Sequence, residues 1–215
     1  MTIITSTLTV LKFTQTFLSI MYAKALNRKL RLLTAMMAIL TACANDFNTQ
    51  EMYFIGDSLV ARWDLQQSFP FWVTHNDGVS GAGIEYIESR NGAYKDKSVV
   101  VLIGTNDISG LKEEELDDYC ERHVNAIVGL QADRTYLISI PPRQFTYDRN
   151  GLNDFIKKAN SAIKERIKSM SDVRYIDVYD AMSRHGTINM EYSYDGLHLN
   201  IYGYEVVTKI IMNNP

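Results

Sequence analysis

Beyond residue 50, short apolar runs rich in β-branched residues alternate with longer stretches of helical periodicity. The strongest run covers residues 98–103, Ser-Val-Val-Val-Leu-Ile, apolar without alternation as a strand buried on both faces requires. Residues 52–55 predict a strand ending at Gly56, and residues 71–74 a weaker one. Residues 136–140 predict a fourth, stopped by Pro141-Pro142 because proline cannot continue a ladder, and residues 173–178 a fifth. Between them, Leu116, Tyr119, Cys120, His123, Ile127 and Leu130 fall on one helical stripe. Phe155, Ile156, Ala159, Ile163 and Ile167 form a second, and Tyr204, Val207, Ile210 and Ile211 a third. Strands separated by helices imply right-handed crossovers and a parallel sheet covered on both sides. The pattern therefore predicts one three-layer α/β domain over residues 51–215, without an internal repeat or a low-complexity segment.

Composition narrows the class further. A chain of 215 residues, 46% hydrophobic and 22% charged, is neither disordered nor collagen-like nor a coiled coil. It is long enough to bury a core without disulfides, and two cysteines, Cys43 and Cys120, form no disulfide framework. The net charge of −3 conceals an asymmetry: residues 1–43 hold Lys12, Lys24, Arg28, Lys29 and Arg31 and no acid. The remainder carries 17 Lys and Arg against 25 Asp and Glu, an acidic surface that argues against nucleic acid as a partner.

The basic beginning reads as a signal segment over residues 1–42. Arg28-Lys29-Leu30-Arg31 precedes an apolar run over residues 32–40, then Thr41-Ala42-Cys43. That run is too short for a permanent membrane span, which needs about 20 apolar residues. Leu40-Thr41-Ala42-Cys43 resembles the lipobox of bacterial lipoproteins, which implies lipidation of Cys43, a tether over residues 43–50 and an exported envelope protein held to the membrane by lipid alone. Cys43 ending an ordinary signal or a buried helix is the alternative. The Thr-rich residues 1–20 fit the scheme poorly, and Met21 would start a signal of ordinary length.

Ligands of such sheets bind at the carboxyl ends of the strands. There lie Gly56-Asp57-Ser58, Asn76-Asp77-Gly78-Val79-Ser80-Gly81 and Gly104-Thr105-Asn106-Asp107, with Asp195-Gly196-Leu197-His198 before the last helix. A serine hydroxyl needs a base, which His198 supplies, and that base needs a carboxylate on its other nitrogen. Three-residue spacing lets one turn present Asp195 and His198 together. The backbone N–H groups of Ser58 and Gly81, with the Asn106 amide, are suitable donors for an oxyanion, and a glycine at 81 suits close approach. Asp57, Asp107 and Asp177 are rival acids for the imidazole.

These four blocks resemble the SGNH (GDSL-type) hydrolase family over residues 53–204. The resemblance implies Ser58 as nucleophile, Asp195 and His198 as its partners, and Ser58, Gly81 and Asn106 as the oxyanion hole. It also implies a flavodoxin-like sheet of five parallel strands and hydrolysis of esters or thioesters, without a cofactor or metal. Ala82-Gly83 and Leu199 depart from the family's frequent residues at those places without removing a reacting group. Val60 excludes the Gly-x-Ser-x-Gly elbow.

The remaining candidates have simpler readings. His123 is a core or boundary histidine, Cys120 a buried small hydrophobe, and His75 and His185 surface residues. Glu113-Glu114-Glu115 with Asp117-Asp118 is an acidic helix start, and no His/Cys/carboxylate spacing marks a metal site. Tyr192, Tyr194, Arg143 and Phe145 either shape specificity or are ordinary loop residues. With no cap insertion, the expected substrate is a small acyl ester, an acetylated glycan of the envelope. Lysophospholipase or thioesterase action on longer chains is one alternative, and a non-catalytic glycan-binding lipoprotein another.

Overall fold

A computed structural model describes residues 50–214. The signal segment, Cys43 and nearly all of the tether lie outside the described residues. In chain order the elements are β1 (Glu51–Gly56), α1 (Ser58–Ala61), α2 (Leu65–Ser68), β2 (Val73–Gly78), α3 (Ile84–Glu88) and β3 (Ser98–Leu102). There follow α4 (Thr105–Gly110), α5 (Leu116–Gly129), β4 (Arg134–Ile138), α6 (Leu152–Ile167), β5 (Val173–Ile176), α7 (Tyr179–Met182) and α8 (Ile201–Met212). A small antiparallel hairpin, β6 (Ser183–Arg184) and β7 (Thr187–Ile188), sits between α7 and α8.

The five main strands form one sheet of order β2-β1-β3-β4-β5, parallel throughout. Alternate residues of the buried strands feed opposite faces. Val99, Val101 and Leu137 meet Ile127 of α5 and Ile156 of α6 on one side. Val100, Leu102 and Ile138 meet Leu59 of α1 and Val207 of α8 on the other. This is the expected three-layer α/β/α arrangement. The order reverses between β1 and β3, so their carboxyl ends open a crevice there.

The second strand differs from its expectation. It begins where the apolar run ends and consists of Val73-Thr74-His75-Asn76-Asp77-Gly78, an edge strand with no fully buried residue. Phe71 and Trp72 precede it, and Trp72 stacks on Phe69 at 4.6 Å, extending the core from outside the sheet. An edge strand needs pairing on one side only, and polar side chains here take up loop contacts. Asn76 Nδ2 donates to the Val60 carbonyl at 2.9 Å, and Tyr94 Oη donates to Asp77 Oδ2 at 2.8 Å.

Two features fix the passage from β1 into α1. A Cβ on Gly56 would lie 1.9 Å from the Leu102 carbonyl oxygen, so only glycine lets β1 end this close to β3. Asp57 then caps α1, its Oδ1 accepting from the Leu59 N–H at 2.8 Å. Asp57 is fully buried, and its Oδ2 has no hydrogen-bond partner among the described residues. Burial, the largest influence, pushes its carboxyl up to about 7; the Leu59 N–H opposes that shift, neighbouring Asp107 adds to it, and the Thr105 N–H and Arg143 oppose it. On the other face His123, buried in α5 with Nδ1 3.3 Å from Tyr119 Oη, is pushed down to about 4 by burial.

Gly56→Ala is expected to lose about 3 kcal/mol or more through backbone displacement, while Gly110→Ala, with open space around it, is close to neutral; calorimetric unfolding of both tests this. The two buried titrations oppose each other. A raised Asp57 contributes stability that is full below about pH 4 and is lost as pH rises through 7. A depressed His123 contributes stability that is full above about pH 6.5 and is lost as pH falls towards 4. Asp57→Asn removes the first contribution, so its Tm relative to the parent should climb between about pH 4 and about pH 7 and then level off. A Tm difference independent of pH would contradict that assignment.

Candidate active site

Ser58 opens α1 at the carboxyl end of β1, where Asp57 takes the Leu59 N–H on its side chain and the Val60 and Ala61 N–H groups on its carbonyl. Its side chain is nearly buried, and Oγ lies 3.2 Å from His198 Nε2. On the far side of the ring, Nδ1 lies 2.7 Å from Asp195 Oδ2. The second oxygen of the same carboxylate accepts from the Leu197 and His198 N–H groups at 3.0 and 2.7 Å. Asp195 therefore folds the turn with one oxygen and orients the ring with the other. Burial raises its pKa, but the hydrogen bonds from the His198 ring, the His198 N–H and the Leu197 N–H outweigh this and hold it at about 2.

The turn is closed from below. A bridge pairs Ser193 with Leu199, the Tyr194 N–H donates to the His198 carbonyl at 3.0 Å, and Ser193 Oγ donates to the same oxygen at 2.8 Å. Gly196, at φ +85°, presses against Gln144, whose N–H donates to its carbonyl at 2.8 Å.

The second and third blocks meet at the adjacent edge. The Val79 N–H donates to the Gly56 carbonyl at 2.9 Å, drawing the loop after β2 beside Ser58. Asn106 Nδ2 donates to the Ala82 carbonyl at 2.8 Å, and both Asp107 oxygens accept from the Ile84 N–H at 3.2 Å. Only one of the two Asn106 amide hydrogens is used in that contact. Gly81 is exposed at φ +81°, and a Cβ placed on it would meet nothing within 4 Å among the described residues. Its glycine therefore serves the left-handed turn rather than room against the protein. The Ser58 and Gly81 N–H groups have no backbone acceptor among the described residues.

The rival acids are placed elsewhere. Asp177 accepts from the Tyr179 N–H at 3.2 Å and faces Lys164 at 3.4 Å. Asp57 and Asp107 both bind backbone N–H groups. His75 is a surface residue, though it has partners: it stacks on Tyr53 at 4.2 Å and lies 2.9 Å from Glu51 Oε1. Cys120 is buried, its thiol pushed up to about 11 by burial. His185 is exposed in the β6–β7 turn, and among the described residues no group of three His, Cys, Asp or Glu could hold a metal ion.

Arg143 is the residue whose place differs most from a loop position. It is buried, pairs with both oxygens of Asp148, and donates through Nη1 to the Thr105 carbonyl. Its own backbone is held at both ends by Asn153, at 2.8 and 2.7 Å. Arg143 thus braces the residue before Asn106 and does not line a surface. The sequence signal was its position directly after Pro141-Pro142, at the same sheet edge as the other blocks. Tyr192 packs against the core, Phe145 is half-buried beside Tyr147, and Tyr194 is 75% exposed next to Asp195.

Residues 54–206 match the GDSL-like Lipase/Acylhydrolase family. A curated relative, N-acylneuraminate cytidylyltransferase of Escherichia coli, is 30% identical over 173 residues, which cover 76% of this chain. The chain spans only 40% of that relative's length. Among solved structures, a Streptococcus pneumoniae protein assigned as a platelet activating factor is 26% identical with a TM-score of 0.63, covering 77% of this chain and 83% of its own. An acetylxylan esterase of Geobacillus stearothermophilus shares the fold at 15% identity and a TM-score of 0.58, covering 76% and 93%. No helix among the described residues is long and apolar enough to cross a membrane. With residues 54–206 matched, the chain belongs to the GDSL-like lipase/acylhydrolase family.

Proposed function

We propose that Ser58, His198 and Asp195 hydrolyse a carboxylic ester through an acyl-enzyme, and that the natural substrate is an acetyl ester carried on a glycan. The observation that carries this reading is the continuous chain from Ser58 Oγ through the His198 ring to Asp195. His198 Nε2 takes the Ser58 proton as Oγ attacks the carbonyl carbon. Asp195 stabilises the imidazolium, and a pKa of about 2 keeps it charged across the working pH range. The carbonyl oxygen, now an oxyanion, is met by the Ser58 and Gly81 N–H groups and the spare Asn106 N–H. His198 then returns the proton to the departing alcohol, and water repeats the sequence on the acyl-enzyme.

The acetyl-glycan reading rests on three supports. The loops after β1, β2 and β3 are short, and among the described residues no cap is inserted in them, which favours a small acyl group. The curated relative's name gives N-acylneuraminate, an acylated sugar acid, and the fold also serves acetylxylan esterases. The signal segment over residues 1–42, with Cys43 as lipid anchor and residues 43–50 as tether, would place the 51–215 domain at the cell envelope, where such glycans occur.

Ser58→Ala is expected to abolish turnover of p-nitrophenyl acetate while leaving Tm nearly unchanged, and Asn106→Ala to lower kcat by roughly 10²–10³-fold with a small change in KM. Retained turnover in Ser58→Ala would end the proposal. Arg143→Lys keeps the charge but cannot span Asp148 and Thr105 together. It should lower kcat several-fold with KM little changed, because Asn106 loses its brace. Normalising kcat to the folded fraction read by circular dichroism separates this from a loss of folded protein, for which the normalised kcat would not change.

A further inference from the structure

A cavity of about 400 Å³ lies on the flank of the domain, between α1–α2 and α8, outside the reacting groups. Its upper wall is made by the residues that carry those groups: Tyr194 precedes Asp195, and Leu199 and Asn200 follow His198. Arg62, whose N–H donates to the Ser58 carbonyl at 3.1 Å, closes the end of Ser58's own helix. The cavity then follows α8 from Ile201 to Lys209, about 12 Å at 1.5 Å per residue. Its upper end thus adjoins the turn that carries Asp195 and His198, and from there the groove runs along α8.

The lining has two characters. Its floor is aromatic: Trp63 and Tyr204 stack at 5.2 Å, each locked by a hydrogen bond, Trp63 Nε1 to Ser68 Oγ and Tyr204 Oη to the Leu59 carbonyl. Its rim is polar and charged. Arg62, Glu205 and Lys209 are exposed and make no ion pair among the described residues, and neither does Asp64. The two cations and two carboxylates cancel, so the rim has no preference for a charged ligand. Tyr194 adds a third ring, 75% exposed, at the mouth.

We infer that this groove is a saccharide subsite, holding the sugar on the alcohol side of the ester while its acetyl group reaches Ser58. A fatty acyl chain would strip water from four charged head groups and return nothing to them. A sugar ring offers an apolar face to the aromatic floor and hydroxyls that donate and accept along the rim. The length of the groove accommodates more than one ring, which makes an oligosaccharide a better occupant than a monosaccharide. The inference rests on the esterase reading for its reaction but not for its binding, and the two can be separated.

Tyr194→Ala and the double variant Glu205→Ala with Lys209→Ala change exposed side chains, so both should fold. On a mono-O-acetylated xylobiose, whose other hydroxyls are free, each is expected to raise KM about tenfold with kcat maintained, as loss of one or two polar or stacking contacts does. The ratio of kcat/KM for the disaccharide over p-nitrophenyl acetate then falls by the same factor. A ratio that stays constant overturns the subsite. So does a selective loss on lysophosphatidylcholine, which would make the groove an acyl channel. Titration of the intact protein with unmodified xylobiose, followed by amide NMR shifts, reads the groove without chemistry. Shifts confined to α2, α8 and residue 194 in a protein that cleaves no ester support the subsite and sink the esterase reading. Ester cleavage with no xylobiose-induced shift sinks the subsite and leaves the esterase reading standing.

Discussion

The pair formed by Asp195 and His198 holds the proposed chemistry together, because one carboxylate does two jobs at once. Its Oδ1 accepts two backbone N–H groups and thereby shapes the turn; its Oδ2 meets the ring at 2.7 Å and fixes which nitrogen faces Ser58. Without the first contact the ring would have no fixed platform, and without the second it would lose its orientation and the counter-charge for an imidazolium. The turn is only four residues long, and it is clamped by Ser193 on one side and by Gln144 on the other. Three separate loops therefore contribute side chains to one edge, and the loop after β2 adds the Gly81 N–H.

That rigidity comes from backbone-directed polar contacts at the strand ends. Asp57 caps the helix of Ser58, Asp107 holds the Ile84 N–H, Asn76 ties the end of β2 to α1, and Arg143 holds the Thr105 carbonyl. Each would cost free energy if left unpaired in the interior. Asp57 bears part of that cost openly, with one carboxyl oxygen buried and unpartnered among the described residues and its pKa raised to about 7. A costly polar group directly before the reacting serine fits the general pattern in which functional sites depart from the packing rules obeyed elsewhere.

How much of this was legible follows from which signals are local. The sheet was legible because residues 98–103 and their neighbours must be buried on both faces, and continuous β-branched runs have few other homes. The long helices were legible from their stripes, and both cores are made of those stripes. The edge strand was displaced because its residues, Thr74 to Gly78, serve loop contacts and carry no apolar signature, while Phe71 and Trp72 do and lie outside the sheet, Trp72 packed on Phe69 and Phe71 exposed. Ser58, Asp195, His198, Gly81 and Asn106 could be singled out because their chemistry is specific and each follows a strand end or precedes a helix. Arg143 could be placed at this sheet edge but not read as a brace, since its partners Thr105 and Asp148 lie 38 and 5 residues away and nothing in a single sequence announces a buried pair. The flank groove was equally silent, being made by two helices whose polar positions read as ordinary solvated faces.

The central claim is that the Ser58 hydroxyl is activated by its neighbours in the folded protein. Treating the native chain with a fluorophosphonate ester and mapping the adduct by mass spectrometry tests it most directly. The account predicts a single phosphonyl group on Ser58, formed rapidly in the native state and absent when the chain is denatured before treatment or carries His198→Ala. Modification of a different serine, or no modification of the native protein, would contradict it.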